Sequence, residues 1–204
     1  MRGVDGLVLA STRLDDAEVL ELAAQRPLVL LNREVAGVEG EVPWVDPGNG
    51  ALLDHLQQRG HRAIAYLGGP LRSWMNGRRW DSLFALARER GLSIFDIPGG
   101  TPSIDGGRDA YERVAASPAT AVVAYNDLMA IGLMQAAQAA GARIPADLAI
   151  TGYDDIFGST LTTPPLTTVS APLERMAERA VATLLGEPVG DDPFRTELIV
   201  RGSS

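Results

Sequence analysis

Residues 121–141 read AVVAYNDLMAIGLMQAAQAAG. Ala121 to Ala124 is a short, wholly apolar run, the pattern of a strand covered on both faces in a parallel sheet. Asn126 stands where a helix N-cap is needed, and the following helix ends before Gly141. The stretch is a βα unit, and the same grammar recurs on either side. Upstream, Ala63 to Leu67 is a strand ending in Gly68-Gly69-Pro70, and a helix runs from about Asn76 to Arg90 and stops at Gly91. Ser93 to Ile97 is a further strand, followed by a Gly/Pro-rich loop to Pro102 and a helix from Ile104 or Asp105 to about Ser117. Downstream, Leu148 to Tyr153 is a strand, Asp154 to Pro165 a polar, Pro-rich stretch, Pro172 to Leu185 a helix and Phe194 to Val200 a last strand.

Nearer the start, Val4 to Ala10 reads as a strand, and Asp15 or Asp16 caps a helix reaching about Gln25. Pro27 to Leu31 is a second apolar strand, Asn32 to Glu41 a loop, and Val42 to Val45 a short extended segment. Asp46 reads as an N-cap, with Pro47 at the first helical position and Gly60 closing the helix. Strands alternating with helices, four βα units in succession in the middle, predict an α/β fold with a mainly parallel sheet.

The 204 residues carry 18 basic and 26 acidic side chains, a net charge of −8. Every basic residue is Arg, and there is no Cys. Disulfides, thiolate metal sites, Cys nucleophiles, a P-loop lysine and a Schiff-base lysine are thereby excluded. An acidic chain without a long Arg cluster is poorly suited to gripping nucleic-acid phosphates by itself. The uncharged stretch from Ile156 is too polar to span a bilayer, and the first residues form no secretory signal, so a soluble, cytoplasmic protein without membrane contact is expected.

In open α/β sheets, ligands bind beyond the carboxyl ends of the strands. Those ends carry Ser11-Thr12-Arg13, Asn32-Arg33-Glu34, Asn126-Asp127 and Asp154-Asp155, and the loop after Ala63 to Leu67 leads to Arg78-Arg79. Such a rim suits a neutral polyol, since a carboxylate accepts from adjacent hydroxyls while Arg and Asn donate to oxygens in fixed geometry. Each residue also has a plainer role. Asn126 reads equally as a cap without ligand, Asp154-Asp155 as an Asx-turn, Asn32 as a loop start and Arg79 as a solvated helix residue. Trp80 suits core packing, whereas Trp74, in a loop, can line a cleft. His55 and His61 flank a helix end without metal-ligand spacing, so no metal site is expected. There is no GxSxG elbow, no HExxH and no full dinucleotide fingerprint, so binding fits better than catalysis and no cofactor is expected.

The motifs, taken in order, resemble the effector-binding core of the lactose-repressor (LacI/GalR) family of bacterial transcription regulators. The resemblance rests on Val4-Asp5-Gly6-Leu7, Leu31-Asn32-Arg33, Arg59-Gly60-His61-Arg62 with Ala65 to Pro70, and Ala124 to Ala130. It continues through Gly141 with Pro145-Ala146-Asp147, Gly152-Tyr153-Asp154-Asp155, Thr163 to Val169 and the ending Glu197 to Ser204. It implies a two-lobed periplasmic-binding-protein-like fold with parallel sheets and an incomplete N-terminal lobe. Residues 1–45 and 172–186 would form that lobe, and 46–171 and 187–204 the C-terminal one. Carried over by position, Ser11, Asn32, Arg79, Asn126 and Asp154 would contact the effector, with Asp127, Asp155 and Trp74 in support.

The chain departs from the family pattern in places. Thr101-Pro102 stands where an aromatic stacking residue is common, and Ala171 where a glutamine is common. Gly77, Ser82 and Leu83 replace the usual Arg, Gly and aromatic around Arg79. A smaller or less polar effector than a typical sugar, or a partly degenerate site, follows. No helix-turn-helix pattern precedes the Val4 to Ala10 strand, so a fragment, a mis-started reading frame or a trimmed chain is expected. The expected function is effector binding and dimerisation for a LacI-type regulator, signalling by ligand-linked lobe closure. A homodimer is the expected assembly, and DNA would be contacted only through a headpiece outside these residues. A solute-binding receptor of a sugar transport system is the alternative, and a small α/β hydrolase or isomerase using Asp154 or Asp155 a more distant one.

Overall fold

The computed structural model describes residues 3–204. Two sheets form the frame. The smaller has three parallel strands, β1 (Leu7–Ala10), β2 (Leu28–Leu31) and β3 (Glu39–Glu41), in the order β1-β2-β3. The larger has six, β4 (Ala63–Leu67), β5 (Ser93–Ile97), β6 (Ala121–Ala124), β7 (Ala149–Tyr153), β8 (Thr167–Ser170) and β9 (Glu197–Ile199). Their order is β5-β4-β6-β7-β8-β9, parallel except for the β8–β9 pair. The expected α/β architecture with parallel sheets is what the chain adopts.

Helices cover the sheets. α1 (Asp16–Ala23) opens with a capping box in which the Asp15 side chain accepts from the Glu18 amide and the Glu18 side chain accepts from the Asp15 amide. α2 (Asp46–Gln58) and α3 (Trp74–Glu89) pack on one face of the large sheet through Leu52, Leu53, Leu56, Leu83 and Ala87. α4 (Ile104–Asp109), α5 (Tyr111–Ala115) and α6 (Asp127–Ala139) cover the other through Val114, Ile131, Leu133 and Met134. Leu52, Leu53, Leu56 and Leu133 are fully buried, each worth about 1.5–3 kcal/mol of transfer free energy. α7 (Leu173–Leu184) lies against all three strands of the small sheet. Its buried side chains are Met176 and Ala180, a period of four that suits one helix face.

Three crossings join the two sheets: the segment from β3 to α2, the one from β8 to α7, and the return from α7 to β9. The first and third run side by side. Trp44 N–H donates to Phe194 C=O at 2.6 Å and Thr196 N–H to Trp44 C=O at 3.1 Å. The return is also pinned to the small sheet by Arg179, which clamps Glu41 through Nε and Nη2 (2.9 and 2.6 Å) and lies 3.8 Å over the Phe194 ring.

Several local expectations shift. β3 occupies Glu39–Glu41, inside the expected loop. Its residues have little strand propensity, but β2 leaves an open parallel edge that pairs Val29 with Glu39 and Leu31 with Glu41. The extended segment expected at Val42 to Val45 reduces to an isolated bridge at Trp44. Asp46 is the first residue of α2, not its cap; Val45 holds that place without a side-chain bond. The helix expected up to Ser117 breaks at Ala110 into α4 and α5. α3 begins at Trp74, because the Ser73 hydroxyl caps it by accepting from Asn76 N–H, so Trp74 lies in a first helical turn instead of a loop.

Candidate functional site

Three strands end in residues with left-handed backbone: Ser11 after β1 (φ +48°), Asn32 after β2 (φ +57°) and Asp154 after β7 (φ +99°). Asp155 (φ +47°) is the remaining non-glycine residue of this kind among the described residues. The ladder continues one residue past each strand. Ser11 N–H donates to Leu31 C=O (2.8 Å), Asn32 N–H to Glu41 C=O (3.0 Å) and Asp154 N–H to Val169 C=O (3.0 Å). The backbone is thus held while the chain turns sharply, at a cost of about 1–2 kcal/mol for a residue such as Ser11 and less for Asn32 and Asp154, whose residue types enter this region more readily. Strain of this kind concentrates at ligand sites.

Those three residues and Arg79 of α3 meet around one cavity of about 330 Å³. Ser11 and Asn32 enter from the small sheet and touch, Asn32 Nδ2 donating to Ser11 Oγ at 3.3 Å. Arg79 and Asp154 enter from the large sheet. Pro43, Val45, Ala171, Leu173 and Thr196 of the crossings close the sides, and Met75, Tyr125, Tyr153, Ile156 and Val169 supply an apolar floor.

Arg79 is the electrostatic centre. Its side chain is 12% exposed and lies 4.2 Å from the Tyr153 ring and 5.3 Å from the Tyr125 ring. Nη1 donates to Tyr125 C=O (2.5 Å) and Nη2 to Asp154 Oδ1 (2.9 Å), while Nε is buried without a partner. Burial pulls against the charge of this guanidinium, but the Asp154 carboxylate and the surrounding tyrosine oxygens outweigh it and raise its pKa. Burial likewise pushes the Tyr153 phenol up. Arg79 therefore stays a cation that orients Asp154, and Asp154, whose side chain is 37% exposed, keeps Oδ2 for other donors.

Asp127 braces the site from beneath. It is fully buried at the start of α6. Oδ2 accepts from Ile156 N–H (3.0 Å) and Ser159 Oγ–H (2.6 Å), and Oδ1 from Thr168 Oγ–H (2.7 Å). One carboxylate thereby ties together α6, the loop after β7, and β8. Burial raises its pKa from 3.8 to about 6, the three hydrogen bonds working the other way. Gly152 makes this approach possible, since a Cβ there would stand 2.2 Å from Asp127 Oδ1.

The remaining residues singled out in the sequence fall elsewhere. Asn126 does not line the cavity; its Oδ1 accepts from Met129 N–H (2.9 Å), so it serves α6 as a cap. Asp155 turns away and accepts from Arg201 Nη2 (2.6 Å). Trp74 faces a second, outer cavity, with Arg78 stacked 5.5 Å over its ring. Thr101-Pro102 is not part of the lining, and Ala171 is. The residues missed by sequence reasoning are Tyr125, Tyr153, Met75 and the crossing residues. Each tyrosine directly precedes a polar strand-end residue, Asn126 or Asp154, and could have been found from that adjacency. Thr196 carries no such signal.

The fold and this cleft define a two-lobed domain of the periplasmic-binding-protein class. Residues 53–204 match the family model of a periplasmic binding protein-like domain, and the chain belongs to that family. Its relatives are regulators of the LacI/GalR type. It is 32% identical over 226 aligned residues to the HTH-type transcriptional regulator MalR of Streptomyces coelicolor, spanning 100% of this chain and 65% of that protein. Among solved structures, a LacI-family transcriptional regulator from "Burkhoderia phymatum" superposes with a TM-score of 0.90 at 27% identity, over 98% of this chain and 77% of that one. A LacI-family regulator from Enterococcus faecium, solved with bound ribose, superposes with a TM-score of 0.88 at 25% identity, over 100% of this chain and 80% of that one.

Proposed function

We propose that the chain is the effector-binding and dimerisation core of a LacI-type transcription regulator and that Ser11, Asn32, Arg79 and Asp154 hold the effector. The observation that carries this reading is the 330 Å³ cavity whose polar groups come from both sheets and whose sides are the crossings between them. A ligand that satisfies Ser11 and Asn32 on one side and Asp154 on the other favours the arrangement in which both sides reach it. Binding then shifts the population toward a closed cleft. On this reading residues 1–45 and 172–186 move as one lobe, and 46–171 and 187–204 as the other. The chemistry fits a sugar or sugar-like compound, because Asp154 accepts from hydroxyls while Asn32 and Arg79 donate to oxygens. The E. faecium relative holds ribose, which makes a pentose the first effector to try.

In the regulator as a whole, the lobe movement would be read by a paired DNA-binding headpiece on operator half-sites. A homodimer in the cytoplasm, with no catalysis, completes the proposal. The test is a thermal shift with ribose and a panel of other pentoses, hexoses and nucleosides. At about 100 times Kd, binding adds about 2.7 kcal/mol, worth several degrees in Tm. Asp154→Ala should abolish that rise; an equal rise in wild type and variant removes Asp154 from the site.

A further inference from the structure

A second cavity, of about 490 Å³, opens on the outer side of the same cleft. It is built from the chain segments that line the inner one. Ser11 lines the inner cavity and Arg13 the outer, Asn32 the inner and Arg33 the outer, Met75 and Arg79 the inner, and Ser73, Trp74 and Arg78 the outer. The outer wall holds four guanidinium groups, Arg13, Arg33, Arg72 and Arg78, against two carboxylates, Asp15 and Asp81. Such an excess of positive charge is notable in a chain of net charge −8. Asp15 is committed to capping α1.

These cations are incompletely matched. Arg13 has no ion-pair or hydrogen-bond partner among the described residues, and Arg78 touches only the Trp74 ring there. Arg72 has only a long contact to Glu18, 3.9 Å with both side chains more than half exposed. Arg33 is nine-tenths buried; one terminal nitrogen donates to Asp16, and its Nε is buried with no partner. Guanidinium groups that no fixed carboxylate matches are available to an anion in the cavity, and hydrogen bonds between two charged groups are the strong ones. The sixteen-residue α3 also starts at this wall, where Ser73, Trp74, Asn76 and Gly77 line the cavity, so the positive end of its dipole lies beside it.

We infer that the outer cavity is a phosphoryl subsite, taking a phosphate dianion that the effector carries. The inference rests on the effector reading above, and it adds the class of ligand: a phosphorylated sugar, its hydroxyls in the inner cavity and its phosphate among Arg13, Arg33, Arg72 and Arg78. Three separate chain segments supply the four guanidinium groups, and their excess charge suits a dianion better than a carboxylate.

The test is calorimetric titration of the full chain with ribose, inorganic phosphate and ribose 5-phosphate, in wild type, Arg13→Gln, Arg78→Gln and the double variant. Neither arginine belongs to the core, and unfolding midpoints close to wild type will show that the variants fold. The expected result is that ribose 5-phosphate binds at least tenfold more tightly than either fragment. The double variant should lose at least tenfold for both phosphate-bearing ligands while its ribose affinity is unchanged. Phosphate affinities unaltered in the double variant, or no phosphate binding in wild type, overturn the subsite. Arginine-dependent binding of inorganic phosphate with no advantage for ribose 5-phosphate overturns the effector as its source and leaves the free ion. Absence of ribose binding alongside arginine-dependent phosphate binding counts against the pentose reading and not against the subsite.

Discussion

Replacing Asp127 with Ala should destabilise the protein, and by more in mild acid than at neutral pH. The Asp127 carboxyl is fully buried, and burial raises its pKa from 3.8 to about 6. A folded-state pKa above the unfolded one means that the folded protein holds this proton more tightly. The stability so contributed is complete below about 3.8 and is lost as the pH rises through about 6. Over the rise from pH 5 to pH 7 the loss is about 1 kcal/mol, and the whole shift of two units amounts to about 3 kcal/mol. The alanine variant has no such dependence. It also leaves Ile156 N–H, Ser159 Oγ–H and Thr168 Oγ–H without their acceptor. A buried donor left unsatisfied costs about 1–3 kcal/mol. The two hydroxyls can rotate toward other acceptors, but the Ile156 amide cannot. At pH 7 these losses are partly offset because the variant no longer buries a charged carboxylate, so a net destabilisation of about 1–3 kcal/mol is expected. At pH 5 it should be about 1 kcal/mol larger. Urea unfolding of both proteins at the two pH values, followed by fluorescence of Trp44, Trp74 and Trp80, measures the difference. A destabilisation that is equal at the two pH values, or larger at pH 7, would refute the assignment of a raised carboxyl pKa to this position.

Three further outcomes are expected. Glu41→Ala takes from Arg179 its carboxylate partner, leaving it the Gly190 and Asp192 carbonyls, in a pair that is 13% and 17% exposed; it should cost about 3 kcal/mol in urea unfolding, and adding Arg179→Met should recover part of that. Ser11→Gly relieves a left-handed backbone at φ +48°; the melting temperature should rise by an amount worth up to about 1 kcal/mol, and a fall would show that the turn is not strained. Gly152→Ala places a methyl group 2.2 Å from Asp127 Oδ1; a loss of about 2–3 kcal/mol is expected by thermal unfolding, and a neutral result would mean that β7 and α6 can separate freely.

The βα unit at residues 121–141 was legible because every local preference in it agrees with the fold. Its strand is uniformly apolar, Asn126 is a good cap and Gly141 takes the positive φ (+90°) that ends the helix. Strand ends were equally readable, and with them Ser11, Asn32 and Asp154, since a polar residue after an apolar run marks where a parallel strand leaves the sheet. Element boundaries were less so. Asp46 and Pro47 suggest a cap one residue late, and nothing in Glu39-Gly40-Glu41 announces a strand that exists only because β2 offers an edge. The plain and the functional roles of Asn126 were indistinguishable in one dimension, because capping α6 and reaching a ligand ask for the same side chain at the same position.

Residue order alone therefore determined the α/β class, the succession of strands and helices apart from β3 and β8, and the set of polar groups offered at the strand ends, because these follow from apolar runs, caps and stops within a few residues of each other. Which of those groups share a cavity was decided only in three dimensions. Arg79 meets Asp154 across 75 positions and Thr196 meets Val45 across 151, and contacts at such separations depend on how two sheets and three crossings pack, which no local pattern encodes.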